Sequence, residues 1–449
     1  MHVTSDRRAT IVGWLAAICM AWLAYRGAVR HADFMTTDLL AWYHDWQGVL
    51  GCFTRPDATV PCFGPVSKFP LAYLANSTLF TSGIERGQRL LTIVNGLILL
   101  LPLIALAVSQ GLGTLRRAGW PYVLAIALSP LPMFYVAAGA LEVQAGIFCG
   151  IYLGAVAHLL SSPGLDAGRR TAWVIAVSGM LFPLYKDTSA VLVGLAVLVT
   201  LAWHISALRD LASTSTGRGR LWRCALLVAG PVLLAQLIDL GYCWFKYGVP
   251  LPLGYMYEAK EAGPTLAKSV EFFAGSVLSP NGGILVFWGL PAFLAIACWR
   301  AAGLVPRRSV VVLGSVTVVV FSLALARWWA PFGWDAWGDR LMVSAMVAVL
   351  VGFLFCMRPR DRVAEPAFSW PVALACMPVV AYSFFYVVVP YSQSQARSMQ
   401  DSLYPGPACE RMGQSLATPQ PSSFWRTDIY YFCARERMLY VPRPKNRTP

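Results

Sequence analysis

The run LLTIVNGLILLLPLIALAVSQGL at residues 90–112 contains no aspartate, glutamate, lysine or arginine. At a rise of about 1.5 Å per residue, a helix of this length crosses the roughly 30 Å hydrocarbon core of a membrane. Runs of comparable length recur along the chain, approximately at 10–28, 90–112, 121–140, 142–161, 171–186, 188–208, 222–245, 284–299, 309–327, 341–357 and 369–390. The sequence therefore predicts an all-α polytopic membrane protein with about 11 transmembrane helices.

Composition agrees with this class. Of 449 residues, 57% are hydrophobic and only 13% are charged, whereas about a quarter of the residues of a soluble domain are charged. The first apolar run is not followed by a small-residue cleavage site, so we expect it to stay as a membrane anchor.

The net charge of +14 is arranged for a membrane rather than for nucleic acid. Arginines fall in alternate gaps between the predicted spans: Arg7, Arg8, Arg116, Arg117, Arg169, Arg170, Arg209, Arg218, Arg220, Arg223, Arg300, Arg307, Arg308, Arg358, Arg360 and Arg362. The positive-inside rule then predicts a cytoplasmic N-terminus and, with an odd number of spans, an external C-terminus.

The cysteines support the same orientation. Of 11 cysteines, four lie clearly in predicted loops, and all four fall on the side assigned as external: Cys52, Cys62, Cys409 and Cys433. An oxidising compartment suits disulfides joining Cys52 to Cys62 and Cys409 to Cys433. The other cysteines lie in or beside spans, where they serve as small apolar packing residues.

The predicted organisation is a transmembrane module at 1–390 and an external tail at 391–449. The longest external segments are a first loop at 29–89 and a central loop at 246–283, each predicted to contain an amphipathic helix. In the central loop this helix is predicted at 264–278. This helix could form one wall of a groove that holds a lipid tail, or it could be part of a packed re-entrant loop. Because no GxxxxGK[ST] motif or strand–GxGxxG–helix unit occurs, nucleotide chemistry on the cytoplasmic side is disfavoured.

Acidic residues concentrate in HADFMTTDLLAWYHDW, residues 31–46. A short surface helix over 38–46 would place Asp38 and Asp45 on one face, about 10 Å apart along the axis. This separation is too long for one metal ion and exceeds that of a retaining glycosidase pair. Since Asp33 is rotated away from both, the stretch predicts one principal carboxylate with helpers.

Further ionisable residues lie at or near predicted membrane depth, where such groups are functional candidates. Lys68 suits either contact with a lipid phosphate or a snorkelling interfacial position. Glu142 opens the fourth predicted span. Lys186 and Asp187 lie at a predicted helix junction, where either function or structural charge compensation accounts for them, and Asp239 lies inside a span.

The short external segment RWWAPFGWDAWGDR, residues 327–340, places four tryptophans, including Trp337, near Asp335, Asp339 and Arg340. Tryptophans are ordinary residues of an interfacial belt. Beside charged groups they also suit stacking on a sugar, while arginine binds phosphate in a bidentate manner.

Taken in order, these motifs resemble those of the GT-C superfamily, membrane glycosyltransferases that use polyprenyl-phosphate-linked sugars. The resemblance covers roughly residues 10–360 and rests on TTD at 36–38, KFPL at 68–71, SPLPMFYVAAGALE at 129–142, KYGVPLPLGY at 246–255, LSPNGG at 278–283 and WWAPFGWDAWGDR at 328–340.

The resemblance implies that Asp38 is the catalytic base, that Lys68 and Arg340 contact the lipid phosphate, and that Glu142 is a secondary acidic residue. The remaining candidate substrate-binding residues are Asp45, Lys186, Tyr255 and Trp337. Two positions depart from the family pattern. Leu39 stands where relatives often have an acidic residue, which disfavours a metal cofactor, and Asn281 stands where they often have arginine.

The implied reaction is inverting sugar transfer, with arabinofuranose favoured and mannose next, from a polyprenyl phosphate to an acceptor hydroxyl. The acceptor would be a glycan, a pilin or other exported protein, or a lipid. The expected location is a bacterial inner membrane with a periplasmic active site, and no nucleic-acid partner is expected. The alternative is a multi-span transporter or flippase of a lipid-linked sugar, which Asp239 and the Lys186–Asp187 pair would suit. Against it, the polar residues concentrate at one face rather than at the midplane.

Overall fold

The computed structural model describes residues 11, 14–15, 17–26, 70–110, 124, 128–137, 140–250, 266–278, 283–301, 304–326, 339–359 and 370–389. Several predicted features lie outside these residues: Asp38, Asp45, Lys68, Tyr255, Trp337, the predicted helix over 38–46, the tail at 391–449 and the cysteines of both predicted disulfides.

The described chain is mostly helical, in agreement with the predicted class. After a helical stretch at 17–26, the helices are α1 Pro70–Ser77, α2 Ile84–Ile98, α3 Leu101–Gln110, α4 Pro130–Ala137, α5 Leu141–Leu160, α6 Gly168–Tyr185, α7 Asp187–Trp203, α8 Ile205–Ala212, α9 Ser215–Tyr247, α10 Leu266–Leu278, α11 Ile284–Phe287, α12 Gly289–Ala301, α13 Arg308–Leu325, α14 Arg340–Phe355 and α15 Trp370–Ser383. The helix predicted at 264–278 is present as α10. Two three-residue strands, β1 Leu304–Pro306 and β2 Met357–Pro359, form an antiparallel ribbon that the all-α prediction did not include.

Within the part of the chain that the structure describes, four helical segments are long and apolar enough to cross a membrane: Ile84–Ser109, Leu141–Leu160, Ser215–Trp244 and Arg308–Leu325. They agree with a helical membrane protein, although the predicted number of about 11 spans is not confirmed. Helices α7 and α14 coincide with predicted spans but have only 17 and 16 residues. The run predicted at 284–299 is divided between α11 and α12.

Helices α5 and α14 pack closely against each other along one face of α5. Gly146, Gly150 and Gly154 recur every four residues and therefore lie along one face of α5. A Cβ atom built on Gly150 would lie 2.7 Å from the Cβ of Val351 and 2.8 Å from the carbonyl oxygen of Ala348. Only glycine leaves room for this approach, as in the small-residue interfaces of membrane helices.

The two helices are parallel. At their N-terminal ends Glu142 lies beside Arg340, and towards their C-terminal ends Gly154 lies against Phe355. Helix α6 runs the opposite way, as two aromatic contacts show: Tyr185 at the end of α6 stacks on Phe148, and the earlier Phe182 lies against the later Tyr152 of α5. As a result the N-terminal ends of α5 and α14 meet the C-terminal end of α6.

The opposite end of the bundle is rich in arginine. Ser309, at the start of α13, donates a hydrogen bond to the carbonyl oxygen of Ala157 near the end of α5. Arg307 donates from its side chain to the carbonyl oxygen of Ser161 at 3.2 Å and from its backbone to that of Cys356 at 2.7 Å. The described connections before α13 and after α14, which both carry arginine, therefore lie at the same end of the bundle. The positive-inside rule assigned both connections to the same side of the membrane, and their positions agree with that assignment.

A buried amide network joins α1, α2 and α4 to α5. The Gln144 side chain donates to Asn95 Oδ1 at 2.5 Å and accepts from Asn76 Nδ2 at 3.1 Å. Asn95 in turn donates to the carbonyl oxygen of Val136 at 3.1 Å. Because all three side chains are buried, the network holds α1, α2 and α4 in fixed positions against α5.

We expect Gln144→Leu to lower the free energy of unfolding by about 1–3 kcal/mol, because it leaves amide groups of Asn76 and Asn95 buried without their partner. Thermal unfolding of the purified protein in detergent measures the loss. Gln236→Leu is the matched control, since its Nε2 atom has no hydrogen-bond partner within the described part of the chain. Equal unfolding temperatures for the two variants would contradict the stabilising role of the network.

Candidate functional site

Three charged side chains from distant parts of the sequence meet where α5, α6 and α14 come together. Lys186 Nζ lies 3.3 Å from Glu142 Oε1 and donates a hydrogen bond to it. Arg340 Nε lies 3.2 Å from Glu142 Oε2. These residues, called here the ion triad, place one carboxylate between two cations.

Local sequence explains the position of each member. Glu142 lies in the first turn of α5, and Lys186 is the single residue between α6 and α7, with an extended backbone at φ −158° and ψ 96°. Asp187 then opens α7 and accepts a hydrogen bond from the Thr188 backbone. The predicted helix junction at Lys186 and Asp187 is therefore confirmed.

Arg340 is the first residue of α14, and its neighbour Asp339 caps the helix. Asp339 Oδ1 accepts a hydrogen bond from the Met342 backbone N–H at 3.1 Å, which satisfies one of the free donors at a helix N-terminus. One turn further along, Ser344 Oγ donates to the carbonyl oxygen of Glu142 at 3.0 Å. The start of α14 is thus joined to the start of α5 by both side-chain and backbone contacts.

The ion triad is largely removed from solvent. The exposed fractions of the side chains are 6% for Glu142, 13% for Lys186 and 9% for Arg340. Charges in such a setting attract strongly but have lost their hydration, so each depends on its partners. The triad has one more positive than negative charge, and the nearby carboxylate of Asp339 interacts electrostatically with Lys186.

The arrangement suits a ligand with a single negative charge, which the one excess positive charge of the ion triad would balance. Lys186 supplies a compact ammonium group, and Arg340 supplies a planar guanidinium suited to two phosphate oxygens. In the described part of the chain, no three side chains of His, Cys, Asp or Glu are grouped so as to bind a metal ion.

Of the eight residues predicted for the site, the structure brings three together: Glu142, Lys186 and Arg340. The other five, among them Asp38 and Lys68, lie outside the described residues. Asp239, which was named only as suiting the transporter alternative, is buried in α9, and its Oδ1 atom has no hydrogen-bond partner among the residues described.

Sequence reasoning did not select two residues that the structure places at this end of the bundle. Asp339 was noted only as part of the tryptophan-rich segment, although an aspartate directly before an apolar run is a helix-start signal that identifies it. Ser344 lies inside an apolar run and gave no signal, because a single serine in a predicted span has many ordinary roles.

No known protein-family model matches this chain, and neither a curated protein nor a solved structure shows significant similarity to it.

Proposed function

We propose that this protein is a membrane glycosyltransferase that moves a sugar from a polyprenyl phosphate to an acceptor hydroxyl at the outer face of the membrane. Arabinofuranose is the favoured sugar, and mannose is the next candidate. The observation that supports the proposal best is the ion triad. Glu142, Lys186 and Arg340 were selected from separate sequence motifs, and they converge at one end of the bundle. That end is opposite the arginine-rich one.

Arg340 and Lys68 bind the phosphate that links the sugar to the lipid, and Lys186, which lies beside Arg340 in the ion triad, adds a third cation to this contact. As the bond between the anomeric carbon and the phosphate oxygen breaks, negative charge grows on the leaving phosphate. Fixed cations in a site of low polarity stabilise this charge more strongly than water does. Because phosphate is already a good leaving group, the reaction needs no separate acid at this position.

Asp38 takes the proton of the acceptor hydroxyl while its oxygen attacks the anomeric carbon from the face opposite the phosphate, which inverts the configuration. A well-placed general base accelerates such a step by about 10²- to 10⁴-fold. Glu142 keeps Lys186 and Arg340 together before the lipid arrives, because without its carboxylate they would repel each other in a poorly hydrated setting.

The test is sugar transfer by the purified full-length protein, supplied with a panel of polyprenyl-phosphate sugars and a native membrane extract as acceptor. We expect one donor to be consumed, and Asp38→Asn to lower the rate by about 10²-fold or more while donor binding is retained. Asp166→Asn is the matched control, since this exposed aspartate lies after the C-terminal end of α5, at the opposite end of the bundle.

Failure of the native protein to bind or consume any donor in the panel would overturn the glycosyltransferase proposal. The buried Asp239 in α9 favours the alternative, a transporter or flippase, since carboxylates within membrane helices often carry coupling ions. In that case the protein in liposomes would move a lipid-linked sugar between leaflets without consuming it, and Asp239→Asn would abolish the movement.

A further inference from the structure

Asp339 has one carboxylate oxygen engaged by the helix and another that is not. Oδ1 is held by the Met342 backbone N–H. Oδ2 has no hydrogen-bond partner within the described part of the chain. It is also shielded from water, since the residue as a whole is only 1% exposed. A buried carboxylate oxygen without a donor is costly, so its retention points to a donor brought by a ligand.

The surroundings of Asp339 indicate the kind of ligand. Asp339 precedes Arg340 directly, Arg340 contacts Glu142, and Glu142 contacts Lys186. The ion triad has two cations and one carboxylate. Its one excess positive charge balances the single negative charge of a phosphodiester, whereas a second negative charge on the ligand would find no further cation within the triad.

The substrate and the product of the proposed reaction differ in this respect. A lipid-linked sugar phosphate is a phosphodiester with a single negative charge, and it has hydroxyl groups next to the phosphate. The lipid phosphate left after transfer is a monoester with a charge between about −1.5 and −2 at pH 7 and no sugar hydroxyl.

We propose that Asp339 accepts a hydrogen bond from a sugar hydroxyl of the donor through Oδ2, so that the site selects the sugar-bearing phosphodiester over the spent lipid phosphate. This inference rests on the proposed function, and it assigns Asp339 as a specificity-determining residue rather than as the base.

The experiment measures the affinity of the full-length protein in nanodiscs for three lipids with the same polyprenyl chain. These are the sugar phosphodiester consumed in the transfer assay, a methyl phosphodiester and the phosphomonoester. We expect the native protein to bind the sugar diester at least about tenfold more tightly than the methyl diester, the effect of one hydrogen bond to a charged group. The monoester should bind more weakly than the sugar diester.

Two variants separate this role from helix capping. Asp339→Ser keeps a good N-cap but removes the second oxygen, and Asp339→Asn keeps a capping oxygen but replaces the second one with an amide nitrogen, which does not accept a hydrogen bond. Both should lose most of the preference for the sugar diester while keeping their affinity for the methyl diester. Thr214→Ala is the matched control, because it removes a cap of the same kind at the start of α9, where Thr214 accepts from the Gly217 backbone at 3.1 Å. Its ligand preference should equal that of the native protein.

The experiment distinguishes failure of the role proposed for Asp339 from failure of the proposed glycosyltransferase function. Binding of none of the three lipids by the native protein would contradict the glycosyltransferase itself. Equal binding of the sugar and methyl diesters by the native protein, or an unchanged preference in the Asp339 variants, would overturn the role of Asp339 and leave the transfer reaction standing. The comparison within the native protein needs no variant and stays decisive if either variant fails to fold.

Discussion

Replacing Glu142 by glutamine is expected to lower the free energy of unfolding by about 3–5 kcal/mol, because it removes the carboxylate between Lys186 and Arg340 and leaves buried positive charge without compensation. Glutamine has nearly the same shape, so the loss is electrostatic rather than one of packing. Thermal unfolding in detergent, followed by tryptophan fluorescence, measures the change.

Glu85→Gln is the matched control for Glu142→Gln, since Glu85 also lies in the first turn of a helix, α2, but is exposed. A triple variant in which glutamine replaces Glu142 and methionine replaces both Lys186 and Arg340 should regain much of the lost stability, because no charge is then left unpaired among the three. A Glu142→Gln protein that unfolds at the native temperature would show that the ion triad does not stabilise this end of the bundle.

The second large effect is expected at the contact between α5 and α14. In a helix, alanine is favoured over glycine by about 1 kcal/mol, yet Gly150→Ala should destabilise the protein. Its Cβ would lie 2.8 Å from the backbone oxygen of Ala348 and 2.7 Å from the Cβ of Val351. Neither atom can move by a side-chain rotation, so the helices must separate, at a cost of about 1–3 kcal/mol or more. A leucine at Gly150 should prevent the helices from assembling.

Gly194→Ala in α7 is the control with the opposite expected sign. No atom lies within 4 Å of a Cβ built at Gly194, so the gain in helix propensity should remain. Unfolding temperatures and the monodisperse fraction after size-exclusion chromatography report both effects. If Gly150→Ala is as stable as Gly194→Ala, then α5 and α14 do not pack as closely as their backbones indicate.

The separation of α5 from α14 also links packing to the site. The stripe of Gly146, Gly150 and Gly154 sets the distance between the two helices, and the N-terminal ends of those helices hold Glu142 and Arg340. Gly150→Ala should therefore weaken donor binding as well as stability, whereas Gly194→Ala should affect neither adversely.

Local properties of the sequence determined the class of the protein and several of its details. The length and hydropathy of the apolar runs predict membrane helices, because crossing the hydrocarbon core requires both properties within one segment. The junction at Lys186 and Asp187 and the helix at 264–278 were also predicted, since helix ends depend on the residues next to them. The number of spans was not confirmed: the described residues contain four helical segments long and apolar enough to cross a membrane, and the apolar run at 284–299 is divided between α11 and α12.

Only the tertiary structure decided which of these segments meet. Lys186 is 44 residues from its partner Glu142, and Ser344 is 202 residues from the carbonyl oxygen that it contacts. The glycine stripe of α5 is visible in the sequence, but its partner α14 is not. An apolar helix face packs against lipid and against another helix with similar hydrophobic gain, so hydropathy does not identify a partner. Complementary shape does, and it brings the three charges of the ion triad together.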